Sequence, residues 1–329
     1  MRPTATNSRG FTLAELAVAV LIISLLLFSA MVPFSTQVDI RSVADTRRTM
    51  DSIREAMIGF AQANGRLPCP ANGATPAGTV DSATWATPVV AGAEQWDPVN
   101  NRCYIALGVV PWTTLGVSET DAWGRRLSYR VAPAFADAVS LNTWQSRQNA
   151  VPGTFPLQNA PFTQSPADQN PTCPSSAAPA VAPFALSPTP ALSSFALCSL
   201  GDISVFTRSD PATGAVTLVA AVPAVIISHG KNGKGAWQAN GIRLPLAAAG
   251  SDEAANAAGT TVPVAPLPAG TYLTWAFYSR TQTSAASPCA DPAPFGAGAG
   301  GVFCEFDDIV FTIPVNTLVA RMVAAGKLP

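Results

Sequence analysis

One stretch constrains this chain more than any other: Arg9-Gly10-Phe11-Thr12-Leu13-Ala14-Glu15, running directly into Leu16 to Val32, seventeen residues without a charge. Counted from Phe11, an apolar helix of about twenty residues is long enough to cross a hydrocarbon core roughly 30 Å thick. Ahead of it, Met1 to Gly10 carries only Arg2 and Arg9 as charged side chains. By the positive-inside rule that leader stays in the cytoplasm and the remainder is exported. Glu15 is the exception within the segment. An acid in an apolar helix costs about 2.5 to 3.5 kcal/mol at the bilayer centre and less near the interface, so Glu15 is expected to be shallow, paired or both. In a simple anchor it would gain about 0.3 to 1 kcal/mol from the helix macrodipole. A cut between Gly10 and Phe11 would place a new amine one helical turn from Glu15. Pairing with the amine of a neighbouring, staggered chain would then set an assembly register.

Gly10-Phe11-Thr12-Leu13-x-Glu15, behind Arg9 and immediately before the apolar run, resembles the class III signal of type IV pilins and of the pseudopilins of type II secretion. The resemblance implies that a prepilin peptidase cuts after Gly10 and methylates the amine of Phe11. The helix then stays in the mature protein and packs into a filament core. An ordinary secretory signal cut near Ser29-Ala30 has a shorter apolar core than this run and leaves Glu15 without a role.

Beyond Val32, Pro33 is expected to kink the helix without ending it, because the pattern resumes. Ile40, Val43, Met50, Ile53, Met57 and Phe60 recur at steps of three, four and seven with charged residues between them, an amphipathic helix that stops at Asn64-Gly65. Downstream, Val216 to Ser228, Thr271 to Ser279 and Val302 to Ile313 read as strands, and Asn232-Gly233 as a tight turn. Val315 to Ala325 reads as a short helix with Leu318, Val319 and Met322 on one face. The fold class is therefore α+β, a long N-terminal spine helix packed on an antiparallel sheet. The segments expected are a leader over 1–10, a transmembrane or filament-core helix over 11–33, an amphipathic spine over 34–65 and a β-rich exported body over 66–329. Residues 132–200 and 240–300, rich in Pro, Ala, Ser and Gly, read as surface insertions.

Four stretches extend the resemblance to major pseudopilins. They are Ile53 to Pro68 at the end of the spine, Asp121-Ala122-Trp123-Gly124 leading to Tyr129, the loop Ser228-His229-Gly230-Lys231-Asn232-Gly233, and Asp307-Asp308-Ile309 near the C-terminus. In that family the loop and the acidic pair hold calcium, a hard cation that takes oxygen ligands. The matching positions are Ser228, Asn232, Asp307 and Asp308. The family's loop acid is Asn232 in this chain, and Lys231 and Lys234 add positive charge.

The six cysteines, at 69, 103, 173, 198, 289 and 304, lie on the exported side without the close pairs of a zinc site. Sequential pairing, Cys69 to Cys103, Cys173 to Cys198 and Cys289 to Cys304, closes the shortest loops. A net charge of −1 gives no reason to expect nucleic acid as a partner. His229 is the only histidine, and Ser228 beside it on a strand would point to the opposite face, so the pair does not make a hydrolase site. Trp85, Trp96, Trp112 and Tyr104 are dense enough for a binding surface, although core anchoring is the commoner use. The expectation is a non-enzymatic structural subunit, minor or tip, of a type IV pilus or a type II secretion pseudopilus. The resemblance implies as partners other pilin subunits, a prepilin peptidase, an inner-membrane assembly platform and, before assembly, the lipid bilayer. The location would be the bacterial inner membrane with the C-terminal body in the periplasm. The alternative from another class is a periplasmic binding protein or enzyme that uses the helix only as a tether.

Overall fold

The computed structural model describes residues 12–81, 89–98, 102–136, 195, 201–209, 214–263, 273–284, 289, 291 and 302–327, with the backbone alone for residues 26–36, 261, 263 and 273. Gly10, Phe11, Trp85, Cys173, Cys198 and most of the expected insertion 132–200 lie outside the described residues, whereas the larger part of 240–300 is described and contains a helix and two strands. The chain divides into two compact units, Met1–Ala44 and Asp45–Pro329. Helix α1 (Leu13–Asn64) is continuous through Pro33.

In the first unit the helix side chains from Leu13 to Leu25 are exposed on every side. Leu16, Val18, Val20, Leu21, Ile22, Ile23 and Leu25 all show more than half of their surface. Four consecutive residues, Val20 to Ile23, cannot share one face at 3.6 residues per turn. A helix apolar all round is one that apolar surroundings cover. No helix among the described residues is long and apolar enough to cross a membrane. The apolar side chains described, Leu13 to Leu25, extend about 20 Å at the α-helical rise.

In the second unit α1 becomes one-sided. Met50, Ile53, Met57, Ile58 and Ala61 are buried, and Thr46 with them. The expected stripe is thus shifted in two places: Ile40 is exposed and Phe60 half-buried, while Ile58 and Ala61 lie inside. The helix ends at Gly65, whose φ of 72° suits only a residue without a Cβ and whose N–H closes on the Ala61 carbonyl at 2.7 Å. Its last turns carry α3 (Val315–Ala324), with Leu318 and Met322 buried. Gln62 Nε2 donates to the Arg321 carbonyl at 3.1 Å and Lys327 Nζ to the Ala63 carbonyl at 3.2 Å.

Eight strands form two four-stranded sheets. β1 (Leu107–Val109), β2 (Ser128–Val131), β5 (Ala224–Ser228) and β8 (Ile309–Ile313) lie in the order β8-β5-β2-β1, antiparallel throughout. β3 (Ile203–Thr207), β4 (Val216–Val222), β6 (Thr260–Pro263) and β7 (Leu273–Tyr278) lie in the order β6-β7-β3-β4. This second sheet departs from the antiparallel expectation, because β7 runs parallel to β3, with Trp275 opposite Ile203 and Tyr278 opposite Phe206. The two sheets share one core, in which Val225 and Ile227 from β5 pack with Ile203, Val205, Val222 and Phe277. The stretch Val216 to Ser228 thereby serves both sheets, as β4 and β5 divided at Pro223. α2 (Asp252–Ala258) starts on Ser251, whose hydroxyl caps the Ala254 N–H, and ends at Gly259. Cys69 is bonded to Cys103 and Cys289 to Cys304.

Truncating a side chain in this core leaves a void that close packing cannot fill. Ile53→Ala is expected to destabilise the protein by about 2 to 5 kcal/mol, read as a lower denaturant midpoint. Arg48→Ala on the exposed face of α1 should stay within about 0.5 kcal/mol of the parent.

Candidate functional site

Two places hold the site residues expected from the sequence. At the start of α1, Thr12 and Glu15 form a capping box. The Thr12 N–H donates to Glu15 Oε2 at 2.9 Å, the Thr12 hydroxyl donates to the same oxygen at 2.8 Å, and the Glu15 N–H donates back to Thr12 Oγ1 at 3.3 Å. The acid therefore sits where the helix presents free N–H groups, the placement in which negative charge is favoured. Both cap bonds fall on Oε2, so Oε1 has no partner among the described residues.

The second place is the loop that follows β5. Gly230 and Gly233 have φ of 56° and 64°. A Cβ on Gly230 would lie 2.4 Å from the Asp307 carbonyl oxygen, so only glycine permits that approach. The Arg125 guanidinium fastens the loop by donating to the Gly230 and Lys231 carbonyls. The Asn232 N–H donates to Asp307 Oδ2 at 2.8 Å, and its Nδ2 to Glu253 Oε1 at 2.9 Å.

The structure brings Asp307 and Asp308 together and adds Glu253 from α2, with one carboxylate oxygen from each lying within 4.8 Å of the others. Glu253 Oε2, Asp307 Oδ1 and Asp308 Oδ1 are buried without a hydrogen-bond partner. Ser228 and Asn232 add no oxygen to this trio, and Asn232 meets Asp307 and Glu253 only as a donor. The Ser228 hydroxyl donates to Asp121 Oδ2 at 2.7 Å, and the Asn232 carbonyl oxygen accepts the Lys234 N–H at 2.9 Å. Lys234 pairs with Glu305, which removes one of the loop's two positive charges from the account. In donor chemistry the trio fits a hard divalent cation, which takes carboxylate oxygens and fills its remaining positions with carbonyls or water. The residues that would hold it are Glu253, Asp307 and Asp308.

Crowding raises proton affinity. Burial, and then the neighbouring Asp308 charge, push the Glu253 carboxyl up to about 7 from an ordinary 4.5. Burial likewise raises Asp307.

His229 is buried against the same cluster. Its Nε2 is hydrogen-bonded to Ser128 Oγ at 2.7 Å, and its Nδ1 lies 3.4 Å from Asp308 Oδ1. The serine it meets is thus Ser128, 101 residues away, rather than its neighbour Ser228. Ser128 lies mid-sheet, paired on one side with Ile227 and on the other with Val109. Backbone donors committed to a ladder are not the free pair that an oxyanion hole needs. Glu253 and Ser128 are the two site residues that sequence reasoning missed. For Glu253 a signal existed, since Ser251 followed by two acids, with Gly259 closing the segment, is a helix written within an Ala-rich stretch.

Residues 5–31 match the family model of the prokaryotic N-terminal methylation motif. The chain therefore carries the class III signal and is consistent with the type IV pilin and pseudopilin family. The matched residues hold Thr12, Glu15 and the exposed apolar part of α1. No curated protein and no solved structure matches the chain.

The raised Glu253 carboxyl has a defined sign. Between about pH 4.5 and 7 the folded protein keeps a proton that the unfolded chain releases. Stability conferred by that proton is present at low pH and lost as pH rises through 7. In EDTA, Tm is expected to fall from about pH 5 to 8, and Glu253→Gln to flatten that slope. Calcium added at pH 8 should raise the Tm of the parent more than that of Glu253→Gln. Equal shifts in the two proteins would refute a cation on this trio.

Proposed function

We propose that this chain is a non-enzymatic structural subunit, minor or tip, of a type IV pilus or type II secretion pseudopilus. It is made as an inner-membrane precursor with its C-terminal body in the periplasm. Prepilin peptidase removes residues 1–10 and methylates Phe11, and the apolar part of α1 then leaves the bilayer for the filament core. The observation that carries this reading is an apolar helix exposed on every side that begins at a capped acid inside the methylation motif. Lipid satisfies such a helix before assembly and neighbouring helices satisfy it afterwards, through close van der Waals packing. The free Oε1 of Glu15 gives a neighbour's N-terminal amine a place to pair without dismantling the cap. The length of the Asp45–Pro329 unit, well above that of a typical major subunit, supports the minor or tip assignment. A cation on Glu253, Asp307 and Asp308 would brace the loop after β5 in the exported body.

Mass spectrometry of the mature chain is expected to find N-methylated Phe11 at the terminus. An intact Met1, or a start near residue 31, would refute the reading and favour a simple tether. Glu15→Ala should leave cleavage and folding unchanged and lower incorporation into filaments by at least about tenfold, the scale of one lost charge-assisted contact. Unchanged incorporation would remove the register from the account.

A further inference from the structure

His229, whose Nδ1 lies 3.4 Å from Asp308 of the three-acid cluster, is hydrogen-bonded to Ser128, and Ser128 lines a separate cavity. This cavity, about 360 Å³, lies between the Gly73 loop, β1 and the C-terminal end of α2. That volume falls in the range of small-molecule sites, which are mostly apolar with a few fixed polar groups. Its apolar walls are Ile105, Leu107, Ala257 and the indole of Trp237. Gly73 fixes the Trp237 wall, since a Cβ there would lie 2.6 Å from the indole and displace it.

Arg243 supplies the charge. Its Nε donates to the Gly235 carbonyl at 2.9 Å and its Nη2 to the Ala257 carbonyl at 2.6 Å, so the guanidinium is held in place. Nη1 has no partner among the described residues. Five other interior arginines face acids, Arg66 with Glu94, Arg126 with Glu119, Arg130 with Asp202, and Arg208 and Arg280 sharing Asp252, whereas half-buried Arg125, like Arg243, is held on backbone carbonyls. Arg243 faces no carboxylate among the described residues, although burial is enough to lower its proton affinity. Two carbonyls and the Trp237 ring, 5.5 Å from its Cζ, hold this half-buried cation without neutralising its charge. An anion entering the cavity would find that charge already positioned and give it a counter-ion.

We propose that this cavity binds a small organic carboxylate with an apolar body, its anionic end on Arg243 Nη1 and its body against Trp237, Ile105 and Leu107. A monoanion suits the site better than a phosphate, because one guanidinium with one free nitrogen neutralises a single charge. Ser128 also lines the wall, with its hydroxyl bonded to His229. The proposal is independent of the filament role and of any cation on the acidic trio.

The test is equilibrium dialysis of N-acetyl-L-phenylalanine and of its amide against the full chain in micelles, with protein-free micelles as the blank. Saturable binding of the acid is expected, with the amide bound at least about tenfold more weakly. Arg243→Gln should weaken the acid about 10- to 100-fold and leave the amide unchanged. Ile105→Trp, which fills the cavity without touching the cation, should abolish binding of both. Equal binding of acid and amide would overturn the proposal. So would acid binding that survives Ile105→Trp, or no saturable binding up to about 10 mM. If Arg243→Gln does not fold, the acid-amide contrast and Ile105→Trp still decide the matter.

Discussion

The Asp121 carboxylate is the junction on which the second unit is assembled. One oxygen accepts the N–H groups of Trp123 and Arg125, at 2.9 and 3.0 Å, and so shapes the turn that leads into β2. The other accepts the Ser228 hydroxyl at the end of β5. The next residue, Ala122, donates its N–H to the buried hydroxyl of Thr46 on α1 at 3.2 Å. Helix, turn, strand and loop are therefore referred to a single point. The loop that starts at His229 inherits its position from that point, and with it the Ser128 and Asp308 contacts. A carboxylate buried with three donors is well satisfied, while removing it would strand the buried Ser228 hydroxyl, at a cost of about 1 to 3 kcal/mol, and free two half-buried N–H groups of the turn.

Much of this was legible because it is local. The α1 periodicity, the stop at Asn64-Gly65, the strands around residues 224 to 228, 273 to 278 and 309 to 313, and the helix after Pro314 all follow from repeating patterns of side chains. Asp121-Ala122-Trp123-Gly124 was legible as a turn, and the structure adds the reason for the acid. Other features are not local. The parallel pairing of β3 with β7 joins segments 72 residues apart at Ile203 and Trp275, and no periodicity encodes which strands meet. The Ser128 to His229 bond is of the same kind. Glu253 escaped notice because its helix is short and sits in a stretch whose composition resembles a linker. Ser228 and Asn232 matched a motif by position, yet their side chains bond to Asp121, Glu253 and Lys234 instead.

Electrostatics sets the tone of the interior. Arg130 with Asp202, and Arg208 and Arg280 with Asp252 and Asp291, are ion pairs with side chains almost entirely removed from water. Such pairs seldom add net stability, but breaking one strands a charge. They hold elements in one arrangement: Arg280 alone ties the end of β7 to α2, to Asp291 and to the Cys304 carbonyl beside the second disulfide. Against that pattern of compensated charge, the acidic trio and Arg243 are departures of opposite sign.

Under the proposed filament role, the clip between α3 and the end of α1 decides how the body carries load. A pull along the axis of α1 from Asp45 runs parallel to the buried face that includes Met50, Ile53, Met57 and Ala61. Contacts loaded in that direction must give way together, in shear, whereas contacts at a free end open one after another. The free end is closed as well, because Gln62 and Ala63 at the end of the packed segment are fastened to Arg321 on α3 and to Lys327 just beyond it. Tension along the helix is thus shared across the whole face, and the protein resists peeling at the end where peeling would begin.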